Sequence, residues 1–179
     1  MIWNNCPVTN TNSKISSTYY VNSSDIHTGV DIEHKGSVFN MCEGVVLFIG
    51  KSFNMDGITI VVQYSTTQCV RYSNLSYCYV RIGQPIKRGI RLGECNGNIH
   101  FEYLTTHVSS VPECIRIGSV SYYRHDPQCI IDGSVLLSDS GIDSLTIVTK
   151  DDKVPDIEMT QAMNDEFNIN NRGEILEQF

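Results

Sequence analysis

The feature that most restricts this chain is a dense succession of short apolar runs between residues 26 and 132, rich in β-branched and aromatic side chains and cut by glycine. Gly44-Val45-Val46-Leu47-Phe48-Ile49-Gly50, Ile58-Thr59-Ile60-Val61-Val62-Gln63-Tyr64, Cys69-Val70-Arg71-Tyr72 and Ile99-His100-Phe101-Glu102-Tyr103 are examples. Runs of this length and composition, bounded by turn residues, read as strands. No helical period persists over a dozen residues there. The expectation is an all-β domain of short antiparallel strands, forming a sheet or sandwich, with almost no helix.

The flanks read differently. Residues 1–24 are rich in Asn, Ser and Thr, with Tyr19-Tyr20-Val21 the only strand-like piece, and are expected to form an N-terminal arm. The β domain is placed at 25–133 and an acidic C-terminal extension at 134–179. In that extension Val135-Leu136-Leu137 and Leu145-Thr146-Ile147-Val148 suggest two strands, and 156–167 a short helix after Pro155. Such a tail is either a solvated end or a docking arm; Ile175, Leu176 and Phe179 supply apolar anchors that favour docking.

Charge excludes two partner classes. Thirteen Lys and Arg against 20 Asp and Glu give a formal charge of −7, a poor match for nucleic acid or an anionic membrane. No apolar stretch approaches bilayer length. The opening Met1-Ile2-Trp3-Asn4-Asn5-Cys6-Pro7 lacks a basic region followed by an apolar one, so a chain made in the cytoplasm without a secretory signal is expected. Seven cysteines, an odd count with no Cys-x-x-Cys pair, argue for reduced thiols and against a thiolate zinc site.

Two of the five histidines stand in suggestive contexts. His27-Thr28-Gly29-Val30-Asp31 spaces an imidazole and a carboxylate four apart, and Asn98-Ile99-His100-Phe101-Glu102 sets His100 in a strand. Imidazole and carboxylate are both good Zn²⁺ ligands, and three protein ligands plus water is the pattern of a catalytic zinc. Fully extended, His27 and Asp31 lie about 13 Å apart at roughly 3.3 Å per residue. One metal therefore requires a turn between them, and Thr28-Gly29 is where the chain can make it. Asn98 and His100, two apart on a strand, face the same way. By spacing alone, His27, Asp31 and His100 serve equally as an ordinary hydrogen-bonded cluster.

The ordered text carries more. His27-Thr28-Gly29-Val30-Asp31-Ile32, then 43–50, Arg71-Tyr72-Ser73-Asn74-Leu75-Ser76, the turn at 80–89 with Leu92-Gly93, Asn98-Ile99-His100-Phe101-Glu102-Tyr103, and finally Tyr122-Tyr123 and Asp126-Pro127 follow one another as in the lysostaphin-like (LytM-type) zinc metallopeptidases. The chain resembles that family over roughly residues 25–132. The resemblance implies a small β-sheet fold with a groove, of the duplicated hybrid motif type, and zinc-assisted cleavage of peptide cross-links in bacterial peptidoglycan. Residue by residue, His27, Asp31 and His100 match the three zinc ligands. The two positions where the family uses further histidines hold Asn74 and Asn98, and Cys95-Asn96-Gly97 replaces a longer loop.

An amide is neutral and takes no proton, whereas a positioned general base or acid contributes about 10²–10⁴-fold. The reading is a catalytically impaired member acting as a structural or wall-engaging component of a phage tail or baseplate-like assembly, with peptidoglycan and tail subunits as partners and the virion as its location. The alternatives are an active tail-borne endopeptidase, with His34, His107 or His125 as a substitute base, and a regulatory pseudo-peptidase. Glu102 is expected to form a salt bridge or surface contact rather than act as a base.

Overall fold

A computed structural model describes residues 7–8, 13–22, 25–51, 56–111, 114–131 and 174–175. In chain order the elements are β1 (Lys14–Ser17), β2 (Tyr20–Val21), β3 (Ile26–His27), β4 (Val30–Phe39), β5 (Gly44–Gly50), β6 (Ile58–Ser65), β7 (Gln68–Cys78), β8 (Pro85–Ile86), β9 (Arg91–Thr105), β10 (Cys114–Ile117), β11 (Val120–His125), the single helical turn α1 (Gln128–Ile131) and β12 (Glu174–Ile175). The all-β expectation is met. The strands and helix expected within 134–173 lie outside the described residues.

Ten strands form one sheet, ordered β12-β10-β11-β9-β7-β6-β5-β8, with β4 on β9 and β1 on β4; β2 and β3 pair separately. The pairings are antiparallel except β12 on β10, which is parallel. The long strand β9 is the spine. One of its edges takes β4 over 91–101 and then β11 over 103–105. The other edge takes β7, which pairs with 93–95 and again with 100–105. Between those stretches Asn96–Ile99 leave β7 while staying paired with β4, and only Asn74 of β7 lies opposite the gap.

Both faces of the sheet are apolar, which is why the strand runs read as nearly continuous rather than alternating. On one face Ile32, Ile60, Val62, Tyr64, Val70, Tyr72, Ile99 and Phe101 form the main core, closed at one end by Ile130 and Ile131 of α1. On the other, Phe48, Val61, Cys69, Leu104, Ile115, Ile117 and Tyr122 form a smaller cluster. The same side of β7 and β9 that carries Cys69 and Leu104 also carries Arg71, Ser73, His100 and Glu102, by strand alternation. The polar site thus sits beside the small cluster, backed by the sheet. The six described cysteines are unbridged, and Cys42, Cys69 and Cys95 are buried. Among the described residues no helix is long and apolar enough to cross a membrane.

Candidate metal centre

Two strands bring the three residues together. Asp31 of β4 lies directly opposite His100 of β9, so their side chains share a face, and His100 Nδ1 is 2.7 Å from Asp31 Oδ1. The bend at Thr28 and Gly29 between β3 and β4 returns His27 to the same carboxylate, with His27 Nε2 3.2 Å from Asp31 Oδ2. The two imidazoles meet edge to face, ring centroids 5.2 Å apart. One ligand atom from each residue lies within 4.8 Å of the others. Gly29 is required at the bend because a Cβ there would come within 2.5 Å of the Phe101 carbonyl oxygen and 2.9 Å of His100 Cε1 and Nε2.

The donor set fits a divalent cation. A tetrahedral zinc with bonds of about 2.0–2.2 Å holds its ligand atoms roughly 3.4 Å apart, so only small side-chain shifts are needed. His27 Nδ1 lies 2.7 Å from the Thr18 carbonyl oxygen. A carbonyl only accepts, so Nδ1 donates and the Nε2 lone pair is turned toward Asp31. Two acceptors facing each other at 3.2 Å are complementary only around a cation or a proton. His27 and Asp31 remain partly open, with side chains 18% and 27% exposed, while His100 is 4% exposed.

Beneath His100 lies a buried ionic cluster. Glu102 Oε2 accepts from Arg71 Nη1 at 2.8 Å, and Oε1 accepts from Arg124 Nε at 3.0 Å and from Thr28 Oγ1 at 2.5 Å. His100 Nε2 is buried without a hydrogen bond and stands 3.4 Å from Glu102 Oε1. Arg71 Nε also donates to Ser73 Oγ, which in turn accepts from Thr59 Oγ1. Burial alone would raise the Glu102 carboxyl, yet the two guanidiniums hold it well below the usual carboxylate range. Burial works against the His100 imidazolium, but the Asp31 and Glu102 carboxylates push its pKa up to about 9. For Asp31 burial acts upward too, and His100 with His27 more than reverses it, leaving the carboxyl low.

Asn74 and Asn98 flank this cluster in different ways. Asn74 follows Ser73, the partner of His100 on β7, and takes a left-handed backbone with φ of 66°. That region is sparsely used by residues other than glycine, and asparagine is among the few that tolerate it. Its Oδ1 is buried with no hydrogen-bond partner. Asn98 is exposed, opposite Glu33 in the stretch of β9 that has left β7. The three other histidines are elsewhere. His34 alternates with Asp31 and Glu33 onto the core-facing side of β4, where it bonds Ser13 Oγ and the Ser37 carbonyl. His125 lies opposite Tyr103, on the side of β9 away from His100, and bonds Thr105 Oγ1 and the His107 carbonyl. His107 is exposed beyond the end of β9.

Sequence reasoning passed over Arg71, Arg124 and Thr28 as site residues. The available signal was an arginine inside the apolar run Cys69-Val70-Arg71-Tyr72, since a fully buried arginine needs a carboxylate.

Comparison with known proteins bears on the fold that carries this site. Residues 25–110 match the model of peptidase family M23. Among curated proteins none matches the chain. Several solved structures share the fold, among them the following three. A point mutant of the catalytic domain of EnpA, a prophage-encoded M23 protein from Enterococcus faecalis, is 15% identical with a TM-score of 0.52, over 69% of this chain and 95% of that one. The antimicrobial peptidase lysostaphin from Staphylococcus simulans is 18% identical with a TM-score of 0.52, over 79% of this chain and 57% of that one. A structure of the SpoIIIAH and SpoIIQ complex matches at 16% and 0.52, over 69% and 96%. Residues 25–110 of this chain therefore match peptidase family M23, and the β domain shares the lysostaphin-like antiparallel fold.

Proposed function

We propose that the chain is a zinc-binding, peptidoglycan-directed module with an impaired hydrolytic step, working as a structural or wall-engaging part of a phage tail or baseplate-like assembly. One observation carries this reading: His27, Asp31 and His100 converge on a common point, while the neighbouring positions Asn74 and Asn98 hold amides. Zinc held by the three residues supplies a Lewis acid and a polarised water. The remaining work falls to the chain's own groups. The amide of Asn74 can hydrogen-bond to a water or to a peptide group, but it moves no proton. Glu102 is engaged by Arg71, Arg124 and Thr28 and is too acidic to hold a proton at neutral pH. His34 and His125 face away from His100.

The assembly role draws on the flanks. Segments 1–24 and 134–179 flank the peptidase-type domain at 25–133; β1 of the first and β12 of the second join its sheet, and the rest of both segments serves as docking arms. One neighbour of the fold is described as prophage-encoded and another was solved as a two-protein complex, which suits such a role.

The test is a zymogram on purified bacterial cell wall with and without chelator, alongside sedimentation with the same wall and metal analysis. The expected result is co-sedimentation, about one zinc per chain, and little or no clearing. Strong chelator-sensitive clearing would establish an active endopeptidase instead. Failure to sediment with the wall would remove peptidoglycan as the partner and favour a regulatory pseudo-peptidase acting on another protein.

A further inference from the structure

Residues 16–20 precede the stretch that matches the family model, residues 25–110, yet they touch the ligand cluster repeatedly. Ser17 of β1 pairs with Asp31 of β4, and Ser16 Oγ donates to the Asp31 carbonyl at 3.3 Å. The Thr18 carbonyl accepts from His27 Nδ1 at 2.7 Å, and Ser17 Oγ stands 3.3 Å from the same nitrogen. Tyr20 lies opposite His27 in the β2–β3 pair, its ring centroid 5.7 Å from the imidazole and tilted by 34°. The Tyr20 hydroxyl donates to Asp25 Oδ2 at 2.8 Å, which anchors the outer end of the ring. Asn22 and Asp25 are tied to each other, the Asp25 amide donating to Asn22 Oδ1 at 2.7 Å and the Asn22 amide to the Asp25 carbonyl at 3.0 Å.

These contacts have one chemical consequence. A histidine offers a metal either ring nitrogen, and the hydrogen bond made by one nitrogen decides which lone pair the other presents. Here the carbonyl claims Nδ1, and the flanking ring restricts rotation of the imidazole about its own axis.

We propose that segment 16–20 is a working part of the metal site: the Thr18 carbonyl and the Tyr20 ring position His27 so that Nε2, and not Nδ1, faces Asp31 and a divalent cation. The inference rests on the metal-binding reading above and adds to it a group of positioning residues. The role belongs to a main-chain atom and a ring face, and neither needs a proton transfer or contact with a substrate.

The experiment uses the full chain. One variant carries two glycines inserted between Ser17 and Thr18, which moves the carbonyl out of register. A second is Tyr20→Ala; the native tyrosine is exposed and outside the core clusters, so that removing its ring leaves the core intact. Lys14→Ala is the control, breaking the exposed pair at 3.2 Å between Lys14 of β1 and Glu33 of β4. The first readout is the His27 tautomer by nitrogen-15 NMR on metal-free protein at about pH 8, where an ordinary imidazole is neutral. The second is zinc affinity by chelator competition. Wild type and Lys14→Ala should show the Nδ1-protonated form. The insertion should lose that preference and weaken zinc about 10–100-fold, the usual size of an outer-shell effect, and Tyr20→Ala should weaken it by a smaller factor. An insertion variant that keeps the Nδ1-protonated form, with zinc affinity within about twofold of wild type, overturns the proposal. Wild-type protein that binds no zinc overturns the metal reading instead, while the tautomer measurement still decides how His27 is held.

Discussion

Replacing Glu102 by glutamine tests whether the buried ionic cluster supports the site. The substitution keeps the shape of the side chain and its capacity to accept from Thr28 Oγ1, but removes the charge that Arg71 and Arg124 face. Arg71 and Glu102 side chains are both 0% exposed and Arg124 is 4% exposed, so solvent screens none of this. Removing one partner of a buried pair costs about 3–5 kcal/mol. The lower end is expected here, because Arg71 also donates to Ser73 Oγ. In a domain of this size each kcal/mol shifts the melting temperature by about 2–4 °C, so a loss near 3 kcal/mol gives a fall of roughly 6–12 °C. Calorimetry on metal-free protein in chelator measures it. Zinc binding should weaken as well, by about 10–100-fold, because Glu102 stands 3.4 Å from His100 Nε2. A companion variant, Glu102→Asp, keeps the charge and shortens the reach. It should lose less stability than glutamine while still weakening zinc. A Glu102→Gln protein melting within about 2 °C of wild type would refute the reasoning, since it would mean that the guanidiniums do not depend on this carboxylate.

Gly29→Ala should destabilise the fold by about 1–3 kcal/mol and displace His100, because the new methyl has no room beside the Phe101 carbonyl; a thermal melt together with zinc titration checks both effects, and unchanged zinc affinity would count against the packing argument. Asn74→His combined with Asn98→His should raise chelator-sensitive wall cleavage well above either single change, since groups acting as one unit are non-additive, and His100→Ala should abolish that gain. Metal-free protein should be most stable at mildly acidic to neutral pH. The raised His100 contributes fully below its ordinary value of 6.5 and loses that contribution as pH climbs through about 9. The lowered carboxyls of Asp31 and Glu102 contribute above their ordinary range and lose it as pH falls through their depressed values. A melting temperature that rises steadily from pH 6.5 to 9 would contradict the His100 assignment.

Strand positions were legible because each rests on a local pattern. β5 begins and ends on the two glycines that bracket its apolar run, and β6 follows the run from Ile58 almost residue for residue. The continuous apolar character of β6 also foretold burial on both sides, since Ile60 and Val62 enter the main core while Val61 enters the smaller one. Register was not legible. Asp31 meets His100 only because β4 pairs with β9 at one particular offset, and nothing within either strand encodes the 69-residue separation between them. The resemblance to a family linked those residues; their spacing could not. The break where Asn96–Ile99 leave β7 was equally hidden, because Asn96 and Gly97 mark a weak point in the strand but not which of its two partners β9 gives up there.

The N-terminal arm shows most clearly where side-chain patterns stop being informative. Its serines, threonines and asparagines bury little apolar surface, and among its described residues only Val8 joins the main core and Ile15 packs against it. Composition therefore points to an irregular lead-in. What this stretch contributes to the site is a main-chain carbonyl at Thr18, and every residue has one. Which carbonyl reaches His27 depends on the pairing of β1 with β4 and of β2 with β3, two alignments that converge on the same imidazole. Asn74 makes the complementary point. Its identity could be compared with a family motif, but its left-handed backbone and its buried, unpartnered Oδ1 follow from lying opposite the gap between β7 and β9. A histidine introduced there must adopt the same left-handed backbone, which His like Asn visits more readily than most residues, so the sheet's irregularity bears on the rescue experiment alongside the loss of the titratable ring.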